Sequence, residues 1–371
     1  MDLDTIRRTP GEFCVVEYHV RDFEGRFSPE DYGDPLSERL TTLRQEFHLD
    51  SVVADYDSEW EQLLALKRWV RGRWDHGWGK RWGEVKDALD ILRLAADGEP
   101  FTCGFYGQVF AECCTALGLP ARRIGIGLRD SGFPRDYTFW NVGHALPEAW
   151  SNDFGKWVVL DPDLNCHYEW EGEPLSALEI HEAWMSGVAD EVDVVQEEPH
   201  FVLPRGETIQ NLRDFTGDQT WTEERIGRNL TRFGRHQAMD YYARLSINGW
   251  TWLDQRCPPS FIAHFQPTAA QRLSSHQADL YPTVNLIRPT MRPSWDDHGA
   301  RLEVAFEHCM PFFSHVEYRL DGGPWQRTEA GFTWPMLEGL NVLEAHGVNV
   351  CNRVGPPIRV VVAYASPQWT W

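Results

Sequence analysis

The chain has 371 residues, enough for two domains or for one large domain with an appendage, and its 42% hydrophobic content is that of a folded globular protein. Lys and Arg number 35 against 56 Asp and Glu; the formal charge of −21 repels phosphate backbones and anionic lipid, which argues against nucleic-acid or membrane partners. Eight cysteines without C-x2-C pairing are too sparse for a disulfide scaffold and form no structural zinc motif, so neither metal nor cofactor is expected.

Residues 1–50 mix short apolar runs with acidic and turn-forming residues and read as an irregular lead-in. Arg7 and Arg8 are followed by no apolar h-region, and no run approaches the roughly 20 apolar residues of a membrane span. The expectation is a cytoplasmic protein, or a secreted one if a leader precedes Met1. From Ser58 the pattern becomes helical. Ser58-Glu59-Trp60-Glu61 has the form of a capping box, and Leu63, Leu66 and Val70 follow at helical spacing as far as about Trp74. A Gly- and Trp-rich stretch leads to a second helix, Val85 to Ala96, stopped by Asp97-Gly98-Glu99-Pro100. Thr102 can then cap a largely buried helix beginning near Cys103 and ending at Gly118 and Pro120. Ala121 to Leu128 reads as a strand. His144–Trp150 and Lys156–Asp161 form a hairpin through turn residues 151–155. Residues 165–275 contain one helical segment, Leu175–Met185, and otherwise lack a repeat or period. From about residue 283 the period becomes two, with turns between short strands, which predicts a small β-sandwich over 283–371. The eighteen tryptophans are read first as core filler, and otherwise as the lining of a sugar or peptide groove.

A helix N-terminus stabilises a thiolate, because its free N–H groups and dipole favour negative charge. Cys103 occupies such a position, whereas Cys113 and Cys114 lie well inside the same helix. Thiol catalysis also needs an imidazole to take the proton and a third group to orient that imidazole. His144 and Asp161 fall near the far ends of the two hairpin strands. A four-residue connection giving pairs that sum to 305 sets them opposite each other on one face; a five-residue connection sets them on opposite faces. The chemistry therefore demands an odd register sum or a bulge.

The ordered set Thr102-Cys103-Gly104, Gly118-Leu119-Pro120-Ala121-Arg122, Gly143-His144-Ala145-Leu146-Pro147-Glu148 and Trp157-Val158-Val159-Leu160-Asp161-Pro162 resembles the transglutaminase-like superfamily over roughly residues 55–185. The resemblance implies an α+β fold: a papain-like core with the cysteine helix packed on an antiparallel sheet. It also implies Cys103 as nucleophile, His144 as base and acid, and Asp161 as its orienting group. The catalytic domain is expected to span 51–275, with an insertion or extension at about 190–275. The family often carries an aromatic residue two positions after the His; Leu146 stands there instead, a departure that bears on substrate fit. The backbone N–H of Cys103 is expected in an oxyanion hole. Trp78 and Trp82 are candidate second donors, and Glu148 is a candidate flanking carboxylate or a structural one. Arg122 is expected in a structural ion pair. The C-terminal module resembles fibronectin type III or immunoglobulin-like domains.

The function expected is a cysteine-dependent amide hydrolase working through a thioester, on a peptide, protein or glycoconjugate substrate. The helix segment Ala111–Ala116 resembles that of peptide N-glycanases, but the zinc-binding cysteine pairs of those enzymes are lacking. Acyl transfer to an amine, as in transglutaminases, is the first alternative. A non-catalytic glycan- or peptide-binding protein with a vestigial triad is the second.

Overall fold

The computed structural model describes residues 13–25, 27–77, 79–127, 143–198, 244–247, 250–256, 272–297 and 299–366. The chain divides into two compact units. One covers residues 30–281, and the other combines the residues up to Pro29 with those from Pro282 onward. The described residues of the stretch 1–50 are accordingly not a lead-in. Phe13–His19 (β1) is a strand of the second unit, while Glu38–Glu46 (α1) and Leu49–Val53 (α2) are helices of the first. The helices escape periodicity because they are short and bury only Leu43, Leu49 and Val53. The strand escapes because its partner lies at the far end of the sequence.

In the first unit, Glu59–Arg71 (α3) starts at the expected capping box, with the Ser58 side chain accepting from Glu61 N. Leu63, Leu66 and Val70 are fully buried on one face, each contributing about 2 kcal/mol of apolar burial. The next helix, Ala88–Ala96 (α4), begins three residues later than expected. Asp87 accepts from Asp90 N, and a side-chain cap of this kind is a stronger start signal than Val85. Cys103–Ala116 (α5) buries residues all round, as its two apolar faces require.

The sheet of this unit contains Ala121–Gly127 (β2), Gly143–Ser151 (β3), Lys156–Asp161 (β4), Cys166–Trp170 (β5) and Glu173–Pro174 (β6). Ala177–Met185 (α6) follows, then Asp193–Gln196 (β7), Arg244–Ile247 (β8), Trp250–Trp252 (β9) and Arg272–Ser274 (β10). The spatial order is β10-β9-β8-β2-β3-β4-β5-β6, with β7 also on β5. All pairings are antiparallel except β9 with β10. The described part of the expected 190–275 extension thus widens the same sheet at both ends. One face, through Ala149, Val158 and Leu160, shares a core with α3, α4 and α5. The other, through Ile124, Ile126, Leu146 and Val159, shares a core with α6. A methyl at Gly107 would sit 3.4 Å from the Leu146 backbone, an ordinary contact distance, so α5 lies close on β3 at this point.

The second unit is β-rich. Its other strands are Ile287–Asp296 (β11), Gly299–His308 (β12), Phe313–Leu320 (β13), Gln326–Thr328 (β14), Gly331–Pro335 (β15), Gly339–Asn349 (β16) and Ile358–Tyr364 (β17). They form the sheets β1-β17-β16-β13-β14 and β11-β12-β15. Leu302, Val304 and Trp334 from one sheet and Val316, Leu343 and Val360 from the other share one core, the two-sheet arrangement expected from residue 283. The unit is completed by β1, antiparallel to β17 with Glu17 paired to Val361. The chain leaves it beside Glu24 and returns at Thr283, whose N–H donates to the Glu24 carbonyl at 2.9 Å. Among the described residues no helix is long and apolar enough to cross a membrane.

Candidate active site

Cys103 opens α5, and the sequence before it sets that start. Thr102 holds the extended N-cap backbone conformation, and its carbonyl accepts from Phe105 N. Its hydroxyl, expected to cap the helix, makes no capping hydrogen bond. The side chain therefore takes none of the free amides of the first turn, and the positive end of the helix remains at Cys103. The Cys103 thiol is half-buried, unlike those of Cys113, Cys114, Cys166 and Cys309. Burial pushes the Cys113 thiol well up and the Cys309 thiol up to about 11, as befits inert core cysteines.

The β3–β4 hairpin supplies the next two groups. Ser151 pairs with Lys156 and Glu148 with Val159, so the loop holds four residues and the register sum is 307, not 305. The parity is the one the chemistry demands, and His144 and Asp161 share a face. They meet on the diagonal, His144 Nε2 lying 2.7 Å from Asp161 Oδ2. The offset arises because an even loop can close at 150/155 or at 151/156, and only packing chooses. Asp161 is 1% exposed and is fixed by the turn into β5. Its Oδ1 accepts from Asp163 N at 3.0 Å and Leu164 N at 3.2 Å, an Asx-type turn that Asn165 completes in the left-handed region (φ 51°). His144 is also hydrogen-bonded to Cys103. Burial by itself lowers the His144 pKa, but the charges of Asp161 and Cys103 outweigh it and raise the imidazole well above its ordinary value.

Residues 48–162 match the model of the transglutaminase-like superfamily, a span that contains all three of these residues. This segment is a transglutaminase-like domain. No curated protein matches the chain in sequence. Among solved structures 41 chains match. One, described as "a Putative Cysteine Protease from Cytophaga hutchinsonii", is similar at 14% identity over 48% of this chain, with a TM-score of 0.26; the chain spans 58% of that protein's length. Red sea bream transglutaminase is similar at 12% identity over 99% of this chain and 78% of its own, with a TM-score of 0.24. At such scores these likenesses carry no argument about activity.

The site holds two further groups that sequence reasoning missed. Asp163, 3% exposed, places a carboxylate oxygen within 4.8 Å of both the Cys103 sulfur and a His144 ring nitrogen. His76 Nδ1 lies 2.7 Å from Asp163 Oδ1. Burial raises the Asp163 pKa, but His76, His144 and Arg71 together hold it below the usual carboxylate range. His76 is anchored to the segment leading into α5: it bridges Phe101 in parallel fashion, and Gly77 N donates to the Phe101 carbonyl. The register could have revealed Asp163, since a sum of 307 continued outward sets position 163 opposite 144. His76 is a single histidine in a Gly- and Trp-rich run, a pattern that carries no signal.

The other site candidates fall elsewhere. Trp82 is half-buried against Phe105, and its indole N–H points to the Pro100 carbonyl at 3.5 Å. Trp78 lies outside the described residues. Glu148 shares a face with His144 but lies four residues along β3, about 13 Å at strand rise. It is fully buried, accepts from Arg122 Nη2 at 2.7 Å, from Ala177 N at 2.8 Å and from the Tyr281 hydroxyl at 3.0 Å. Its role is the structural one of its two expected roles: Arg122 needs a buried counter-charge, and the start of α6 needs an acceptor. Leu146, expected to bear on substrate fit, is 1% exposed and packed in the α6-side core.

Two clusters among the described residues bring three potential metal ligands together: Cys103, His144 and Asp163, and His181, Glu182 and Asp254. In the second, the Arg256 guanidinium bonds both Asp254 oxygens and both Glu182 oxygens. A fixed cation already fills that position.

Proposed function

We propose that the transglutaminase-like domain is a cysteine-dependent amide hydrolase acting on a peptide, protein or glycoconjugate amide. The observation that carries this reading is the continuous chain from the half-buried Cys103 through His144 to Asp161, the last locked by backbone hydrogen bonds. In this reading the Cys103 thiolate attacks the amide carbonyl and forms a carbon–sulfur bond. The oxyanion forms beside the N-terminal amide of α5, where preorganised N–H donors stabilise it. His144, protonated by the thiol, passes that proton to the departing amine as the carbon–nitrogen bond breaks, leaving a thioester. Water then attacks the thioester, giving its proton to His144, and the thiol is regenerated with a free acid as product. Asp161 keeps Nε2 engaged so that Nδ1 serves the thiol, and it balances the imidazolium. Transfer to an amine shares every step up to the thioester but needs a second binding site for the amine; hydrolysis needs only water.

The test is alkylation by iodoacetamide at mildly acidic pH, read site by site by mass spectrometry. Cys103 is expected to react selectively, and His144→Ala to slow it by about 100-fold, the lower part of the range for general-base removal. Slow, even labelling of all eight cysteines would leave only the binding-protein alternative standing.

A further inference from the structure

The residue set around the thiol is larger than thiol catalysis needs. Asp161 already orients His144, yet a second buried carboxylate, Asp163, lies within 4.8 Å of both the thiol sulfur and a ring nitrogen of His144. We propose that Cys103, His144 and Asp163 form a binding site for a zinc ion, which reversibly silences the thiol; this rests on the reading of Cys103 as the reactive group of the site.

Three features fit zinc chemistry. The donor set is one thiolate sulfur, one imidazole nitrogen and one carboxylate oxygen, the three ligand types zinc takes. Their atoms lie within 4.8 Å of one another, so modest side-chain adjustment brings them to the separation of about 3.5 Å that tetrahedral coordination requires. Three protein ligands also leave a fourth position for water or for a substrate group. Both nitrogenous and oxygen ligands are backed by a second group. Asp161 holds His144 Nε2 at 2.7 Å, and His76 Nδ1 holds Asp163 Oδ1 at 2.7 Å. Partners of this kind orient ligands and strengthen metal sites. The nearby Arg71 guanidinium donates to the Tyr106 hydroxyl at 2.8 Å and acts on Asp163 as a charge.

The exchange is balanced without any redox partner. Cys103 and His144 share a proton, on sulfur or on the ring; zinc takes its place and the proton passes to the buffer. Binding therefore tightens as pH rises. No electrons move, and a chelator reverses the process.

The experiment uses the full chain with cobalt(II) and zinc(II), and two independent readouts. Cobalt is expected to give thiolate-to-metal charge-transfer and tetrahedral d–d absorption with one equivalent bound. Zinc in excess is expected to slow iodoacetamide labelling of Cys103 at least 10-fold, with full recovery in EDTA. Asp163→Asn should weaken cobalt binding by more than 10-fold, and His76→Gln by about 10-fold, the low end for partners of metal ligands. His76→Gln guards against a folding defect in the Asp163 variant, and far-ultraviolet circular dichroism scores both. Selective Cys103 labelling in EDTA with no zinc protection overturns the metal site and leaves the hydrolase reading intact. A cobalt spectrum that persists in Cys103→Ala also overturns it. A thiolate–cobalt band without selective labelling in EDTA supports the metal site and removes the hydrolase reading.

Discussion

Residues 30–281 contain two clusters with nearly the same inventory and opposite character. Each pairs a histidine with a buried aspartate, at 2.7 Å for His144–Asp161 and 2.9 Å for His181–Asp254. In the His181 cluster, Arg256 binds the carboxylates of Asp254 and Glu182 and holds the Asp254 pKa far below the carboxylate range. In the His144 cluster the third position is held by a half-buried thiol at a helix start, with a second carboxylate, Asp163, beside it. A guanidinium converts a histidine–carboxylate pair into a strut. Without that cation the pair keeps a proton to give and a face to give it to. Arg122 with Glu148 is the strut in its most buried form, with side chains 3% and 0% exposed.

Removing a strut should cost stability and spare reactivity. Glu148→Ala strands the Arg122 guanidinium inside the fold, and we expect a loss of about 3–5 kcal/mol in urea unfolding. Cys103 in the folded fraction should keep its selective labelling; if labelling collapses while the fold survives, Glu148 belongs to the site after all. Arg256→Met should be milder, because Arg256 is 42% exposed and solvent screens its charge. A loss of about 1 kcal/mol in the same measurement, with Cys103 labelling at the wild-type rate, would match a partly solvated strut. Slower labelling in that variant would break the distinction between the two clusters.

The smallest effect lies in pH dependence. His144 has a folded-state pKa raised above the unfolded value, so its favourable contribution is complete below about pH 6.5 and is lost as pH rises through the raised value. The stability difference between the wild type and His144→Gln should therefore be greatest near pH 6 and shrink toward alkaline pH. Thermal melts of the two proteins across pH 6–9 test the sign; a difference that grows with pH would contradict it.

What could be read in the sequence was what short-range chemistry controls. The Ser58 capping box and the α5 start at Cys103 each depend on a few neighbouring residues, whereas the sequence left the β3–β4 parity open between a four- and a five-residue loop. The register was off by two because loops closing at 150/155 and 151/156 have the same parity and similar turn residues. That shift concealed Asp163. The indole of Trp82 meets the Pro100 carbonyl, an acceptor eighteen residues away that announces nothing in sequence. His76 acquires meaning only through the parallel bridge to Phe101. The strand β1 was invisible for the same reason on a larger scale.

That strand has a consequence for the order of assembly. Glu17 pairs with Val361, so the first strand of the β-rich unit emerges from the ribosome roughly 340 residues before its neighbour. At about 5–20 residues per second, β1 waits on the order of 20–70 s without a partner. Residues 30–281 can complete their own core in that interval, and the hydrogen bond between Glu24 and Thr283 then brings the two crossing points of the chain side by side. Because β1 and β17 are antiparallel neighbours, moving Phe13–His19 to a position just after Tyr364 would turn a closure across the whole chain into a local hairpin. The β-rich unit of such a permutant would close without waiting for its oldest strand.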